Sequence, residues 1–326
     1  MSIVVPHGLD PELVRVAELQ PDLDYSRPQE SREALRRAYR ISRALRSRNA
    51  PEDGDDLEVV DREIPARVGS PDIPVRVYAR RGGQEPAPCL LFFHGGGFVT
   101  GNLDTEDARC REYTRRTGVT VVSVDYRLAP EHPFPCAFED SYDALVWVAA
   151  NADELGVDTG RIIVGGTSAG GALTAAVCLA ARDLDGPAVA HQLLLYPVVD
   201  HVMHTRSMKE FDATPGWHAR NNVHMWRHYL GTDAPENVSA YAAPGEAGDL
   251  SRLPSAYVMT IEFDPLRDEG IDFGRRLLAA GVSVQLHHFP GTFHGFDAAA
   301  PQSRIGKRAL DEQCFVLARA ADVNVV

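Results

Sequence analysis

The sequence predicts an α/β fold: a central, mostly parallel eight-stranded sheet flanked by helices. From residue 57 onward, short apolar runs are separated by longer stretches of helical periodicity, which is how strands and helices alternating around a sheet appear in a sequence. A chain of 326 residues with 44% hydrophobic and 24% charged side chains has the composition of a globular protein with a sizeable core. Length alone admits one large domain or two modest ones.

Ahead of that pattern, Ser31 to Arg48 sets Leu35, Ala38, Tyr39, Ile41, Ala44 and Leu45 on a helical period. Arg32, Arg36, Arg37, Arg40, Arg43 and Arg46 fall between them, so an amphipathic helix with a solvated basic face is expected. The turn-rich run Asn49 to Asp56 ends it. Strands are then expected at Leu57–Ile64, Val75–Ala79, Cys89–Phe93, Val119–Val124, Ile162–Gly165, Gln192–Tyr196, Tyr257–Ile261 and Val282–His288. The first two adjoin without a helix between them, which points to an antiparallel pair and a mixed sheet. Helices are expected at Thr105–Arg116, Phe138–Asn151, Ala169–Asp183, Glu269–Ala280 and Ser303–Ala320. Asp200 to Leu253 breaks the rhythm, and an insertion of that length in an α/β sheet points to a functional element such as a lid. Its Trp217, Met225 and Trp226 read as internal packing.

Charge and cysteine usage exclude several classes. A net charge of -13, from 46 acids against 33 bases, argues against nucleic acid or an anionic membrane surface as the main partner. Cys89, Cys110, Cys136, Cys178 and Cys314 lie far apart without a C-x-x-C pair, so neither a disulfide framework nor a cysteine zinc site is expected. A reducing, cytoplasmic setting fits them. The N-terminus lacks the basic-then-apolar pattern of an export signal, and no run is long and apolar enough to cross a bilayer.

Three local signals carry chemistry. Gly166-Thr167-Ser168-Ala169-Gly170 is a G-x-S-x-G between an apolar run and a helical stretch, the strand–turn–helix setting that lifts a nucleophilic serine out of a sheet. His94-Gly95-Gly96-Gly97 follows the strand Cys89–Phe93; its bare backbone lets the amides of Gly96 and Gly97, with that of Ala169, converge on a developing oxyanion. A phosphate cradle is the other reading of a glycine loop, but neither dinucleotide nor P-loop spacing is present, and no cofactor is expected. His94 itself reads as a brace for its loop. The third signal is the pair of loops after the last two strands, with Asp264 and His294. The order Ser168, Asp264, His294 matches a nucleophile, acid and base brought to one sheet edge. Asp264 precedes Pro265 and also has the form of an N-cap, which leaves Asp268 as a rival acid.

The blocks HGGGF (His94–Phe98), DYRLAPEHPFP (Asp125–Pro135), GTSAGG (Gly166–Gly171), DPLRDEG (Asp264–Gly270) and HGF (His294–Phe296) together resemble the hormone-sensitive-lipase-like, bacterial family IV, esterases of the α/β-hydrolase superfamily. Thr167 stands where many members have Asp, which places the chain with the GTSAG branch. The resemblance implies a catalytic domain over 57–326 and a helical cap from residues 1–56 with the insertion at about 200–253. It implies Asp264 as the triad acid and pairing of two copies through the last strand or helix. Tyr126, Arg127 and Glu131 are expected to brace the active-site loops.

The expected activity is hydrolysis of carboxylic esters through an acyl-enzyme, with short to medium acyl groups favoured because the cap is compact. A lyase or small-molecule receptor on the same scaffold is the rival class, and an amide hydrolase or peptidase shares the triad. His224 and His228 have a metal-ligand spacing but no third ligand, and His201, His204, His287 and His288 have no evident partners, so no metal is expected.

Overall fold

The structure, a computed structural model, describes residues 4–48, 56–83, 86–231 and 237–322. Eight strands form one sheet: β1 (Leu57–Ile64), β2 (Ile73–Arg80), β3 (Ala87–Phe93), β4 (Thr120–Val124), β5 (Val157–Thr167), β6 (His191–Leu195), β7 (Ser255–Phe263) and β8 (Val284–Phe293), in the order 1-2-4-3-5-6-7-8. The β1–β2 and β2–β4 pairs are antiparallel, and all later pairs are parallel. Every expected strand is present. The largest differences in extent are at β5 and β8, whose extra residues are tied to the sheet beyond register shifts, by Val157 opposite Ala87 and Phe293 opposite Phe263.

The helices are α1 (Pro11–Glu18), α2 (Pro28–Arg48), α3 (Asp107–Thr117), α4 (Cys136–Ala150), α5 (Ala152–Leu155), α6 (Ala169–Asp183), α7 (Arg206–Glu210), α8 (Ala219–Leu230), α9 (Arg267–Ala279), α10 (Phe296–Ala299) and α11 (Arg304–Ala321). Side chains alternate across the pleat of β3. Cys89, Leu91 and Phe93 join the core under α4, α6 and α9, while Leu90 and Phe92 join the opposite core under α1, α3 and α11. Both faces of the parallel region are covered, which is why its strands read as continuous apolar runs.

α1 was not expected. Asp10 caps it by accepting the Glu12 amide, Pro11 opens it, and Leu13 and Ala17 are fully buried in the second core. α2 covers the expected amphipathic stretch, but its apolar side is not sunk in the core: Leu35 is half-buried, and Ala38 and Ile41 are exposed. Its basic side is not uniformly solvated either, because the Arg32 side chain is only 14% exposed. The turn expected at Asn49–Asp56 lies outside the described residues except for Asp56, as do the side chains of Tyr39, Ala44 and Leu45.

Residues 200–253 hold α7, α8 and a 3-10 turn at Pro244–Glu246. Thr205 and His218 cap the two helices. The segment meets the N-terminal one directly: Asn221 accepts the Tyr25 amide at 3.1 Å and donates to Leu23 O at 2.7 Å, and Tyr25 packs edge-on against Trp217. Met225 and Trp226 are buried as expected.

Candidate active site

The register of the sheet brings the chemistry together. Phe93 pairs with Gly166, Thr167 with Leu195, and Phe263 with Phe293, so β3, β5, β7 and β8 end at one edge and each releases a polar loop there. Ser168 is the first residue after β5 and has φ 55°, ψ -116°, a conformation costing about 1–3 kcal/mol for a non-glycine residue. Its amide donates to Leu195 O at 2.9 Å and its carbonyl accepts from Val198 at 3.2 Å, which holds the strained turn. Gly170 is required by closeness: a Cβ there would lie 2.1 Å from Phe93 O.

The turn after β3 is equally constrained. Gly96 has φ 120°, and a Cβ on it would stand 2.2 Å from Thr100 O. His94 is fully buried, its Nδ1 2.7 Å from Gly95 O and its ring stacked on Tyr126, whose hydroxyl donates to His94 O at 2.8 Å. Burial lowers its pKa, so the ring is a neutral brace. Ala169 opens α6, where helix amides lack intrahelical acceptors.

His294 stands between the two other groups. Its Nε2 is 3.0 Å from Ser168 Oγ and its Nδ1 is 2.6 Å from Asp264 Oδ2. Asp264 is fully buried, and its other oxygen accepts the Leu266 amide at 2.9 Å. The N-cap form of Asp264 is not realised: α9 starts at Arg267 with Leu266 in the cap position and no side-chain cap, so Asp264 closes a local turn with one oxygen and faces His294 with the other. Asp268 points elsewhere: it accepts the Ser207 amide at the start of α7 and pairs with Arg267.

Ser168, His294, Gly96 and Gly97 border a cavity of about 420 Å³ whose walls include Tyr25, Leu35, Trp217 and Leu310. Tyr25 was missed because its position depends on Asn221, nearly two hundred residues away. Trp217 belongs to this wall as well as to the packing expected of it. Glu106, Arg109 and Asp297 were missed too. They sit buried beside the cavity, where Thr167 Oγ1 donates to Glu106 Oε1 at 2.9 Å. Only a register that brings β3 and β5 together reveals that bond.

Of the bracing residues, Arg127 pairs with Asp140 and Glu131 with Arg32. The histidines do have partners, contrary to the sequence reading. His204 faces Asp200 at 3.2 Å; His287 meets Glu312; His288 Nδ1 is 3.0 Å from Thr260 Oγ1; His201 Nδ1 lies 3.2 Å from Glu246 Oε1 but outside hydrogen-bond geometry. Potential ligand atoms of Asp200, His201 and Glu246 lie within 4.8 Å of one another at the surface. His228 Nε2 is 2.8 Å from Tyr25 O, tying α8 to the N-terminal segment. No helix among the described residues is long and apolar enough to cross a membrane.

Residues 90–298 match the family described as alpha/beta hydrolase fold. Esterase LipI of Mycobacterium tuberculosis (strain ATCC 25618 / H37Rv) is 43% identical over 243 residues, covering 74% of this chain and 75% of its own. Carboxylesterase NlhH of M. tuberculosis (strain CDC 1551 / Oshkosh) is 39% identical over 268 residues, 78% of this chain and 80% of its own. Among solved structures, a bacterial heroin esterase superposes with a TM-score of 0.88 at 40% identity, covering 96% of this chain and 98% of its own. Esterase LipW from Mycobacterium marinum superposes at 0.87 and 40% identity, covering 96% of each chain. The chain belongs to the α/β-hydrolase fold family, in its hormone-sensitive-lipase-like branch.

Proposed function

We propose that this carboxylesterase cleaves esters of short to medium acyl chains through an acyl-enzyme on Ser168. The observation that carries the reading is the pair of hydrogen bonds joining Ser168 Oγ, His294 and Asp264, at 3.0 and 2.6 Å. Ser168 Oγ attacks the ester carbonyl while His294 Nε2 takes its proton; the C–O bond breaks and the alcohol leaves with that proton. Water then attacks the acyl carbon, gives a proton to His294, and the acid departs as Ser168 recovers its hydrogen. Asp264 holds the imidazole in the tautomer with Nε2 free and stabilises the imidazolium. The amides of Gly96, Gly97 and Ala169 receive the oxyanion.

A cavity of about 420 Å³ supports the chain-length preference, being near the small end of small-molecule pockets. Contacts of Tyr25 with Asn221 and Trp217 support reading residues 1–56 and about 200–253 as a cap over a catalytic domain. The five free cysteines, four of them buried, support a cytoplasmic setting. β8 at the sheet edge, with Phe315 on α11 56% exposed, supports pairing of two copies there.

A panel of p-nitrophenyl esters from acetate to palmitate, run beside Ser168→Ala, tests the reading. Turnover should peak among the shorter esters and vanish in the variant. Substantial turnover by Ser168→Ala, or rates rising steadily toward palmitate, would overturn it.

A further inference from the structure

Beneath the cavity lies a closed, buried set of polar groups outside the triad. Glu106 Oε1 accepts from Thr167 Oγ1 at 2.9 Å, and its Oε2 accepts from Arg109 Nε at 2.8 Å. Arg109 then donates to Asp297 Oδ2 and to Gln313 Oε1, both at 2.8 Å. Tyr196 donates to Asp297 Oδ1 at 3.1 Å, and its ring stands edge-on to His294, centroids 4.8 Å apart. Glu106, Arg109, Asp297 and Thr167 are each at most 8% exposed.

We infer that Glu106, through Arg109, is a positioning residue that ties the nucleophile turn to the histidine loop. Thr167 immediately precedes Ser168, and Asp297 follows His294 by three residues, so the set joins the two loops that must meet. The inference rests on the Ser168–His294 assignment. Those loops end different strands, and a single 3.0 Å hydrogen bond spans them at the site itself. A misplacement of about 1 Å in such geometry costs on the order of 10²-fold in rate, so a second tie has something to protect. Stability alone does not explain the set, because burying two carboxylates with one guanidinium carries a desolvation cost that apolar side chains avoid. Asp297 is held on the ionised side: burial pushes that carboxyl up, and the Arg109 guanidinium, with hydrogen bonds from Gln313 and Tyr196, more than reverses the push.

Thr167 separates this role from packing. Thr167→Val keeps the shape and removes the hydroxyl, whereas Thr167→Ser keeps the hydroxyl. With p-nitrophenyl butyrate, Thr167→Val should lower kcat by about tenfold with KM within about twofold, per serine titrated by an organophosphonate. Thr167→Ser should stay within about threefold of the parent. In a double-mutant cycle, Glu106→Gln and Thr167→Val should together cost less than the product of their separate losses. An unchanged kcat in Thr167→Val, equal losses in the Val and Ser variants, or a loss wholly explained by fewer titratable serines would each overturn the tie. A dead Ser168→Ala beside any of these leaves the triad standing. An active Ser168→Ala overturns the triad and the tie with it.

Discussion

Arg32 grips Glu131 with both terminal nitrogens, NH1 to Oε1 at 2.9 Å and NH2 to Oε2 at 2.7 Å. The same guanidinium donates to Val99 O at 2.7 Å and Ala129 O at 2.8 Å, so one side chain fastens α2 to the loops behind the glycine turn. Arg32→Ala should cost about 1–3 kcal/mol in urea denaturation and raise KM more than it lowers kcat, because α2 carries cavity residue Leu35. Arg32→Lys should not restore it, since an ammonium cannot reproduce the fork.

That pair has a pH signature. Hydrogen bonds from Arg32 hold Glu131 down at about 2. A depressed carboxyl contributes stability above its unfolded pKa and loses it as pH falls toward the folded one. The stability gap between the parent and Arg32→Ala should therefore narrow below about pH 4. Glu131 is 42% exposed, so solvent screening keeps the narrowing to about 1 kcal/mol or less.

Asp264 and Asp268 should separate sharply. Asp264→Asn should lower kcat by about 10⁴-fold with circular dichroism unchanged, because the wrong imidazole tautomer then faces Ser168. Asp268→Asn should leave kcat/KM within about tenfold, since its oxygens serve α7 and Arg267.

Gly96→Ala should lower kcat by at least about 10²-fold. Its φ of 120° and the 2.2 Å clash with Thr100 O force the turn to move, and the oxyanion amide moves with it. Phosphonate labelling of Ser168 should slow in parallel, while far-ultraviolet circular dichroism stays near that of the parent.

His191, the first residue of β6, is 3% exposed, and burial with help from Arg319 pushes its pKa down to about 4. The unfolded chain binds the proton more readily, so stability should fall as pH drops from about 6.5 toward 4. Between pH 7 and 4.5 the loss should be about 2 kcal/mol, and it should disappear in His191→Gln, as read by denaturant midpoints.

Where periodicity is local, the sequence was legible. α6 runs over the residues expected, and β3, β4, β6 and β7 agree to within about two residues at each end, because buried parallel strands and small-residue helices announce themselves in their own side chains. α1 escaped notice because it is only eight residues long: its apolar side recurs at helical spacing, but a stretch that short is marginal as a helix by itself and is held by the distant core. The histidines misled for a related reason. Whether His201 meets Glu246 depends on how residues 200–253 fold back, which spacing along the chain does not encode.

The sequence by itself determined the sheet, the small residues at the nucleophile turn and the order Ser168, Asp264, His294, since each is a local requirement of strand, turn or backbone closeness. Tertiary structure alone decided that Asp264 rather than Asp268 faces His294, that Arg32 leaves its basic stripe to clamp a loop, and that Thr167 hands its hydrogen to Glu106. Those choices depend on the direction a side chain takes and on partners from other strands, and direction exists only once the sheet has set the register between them.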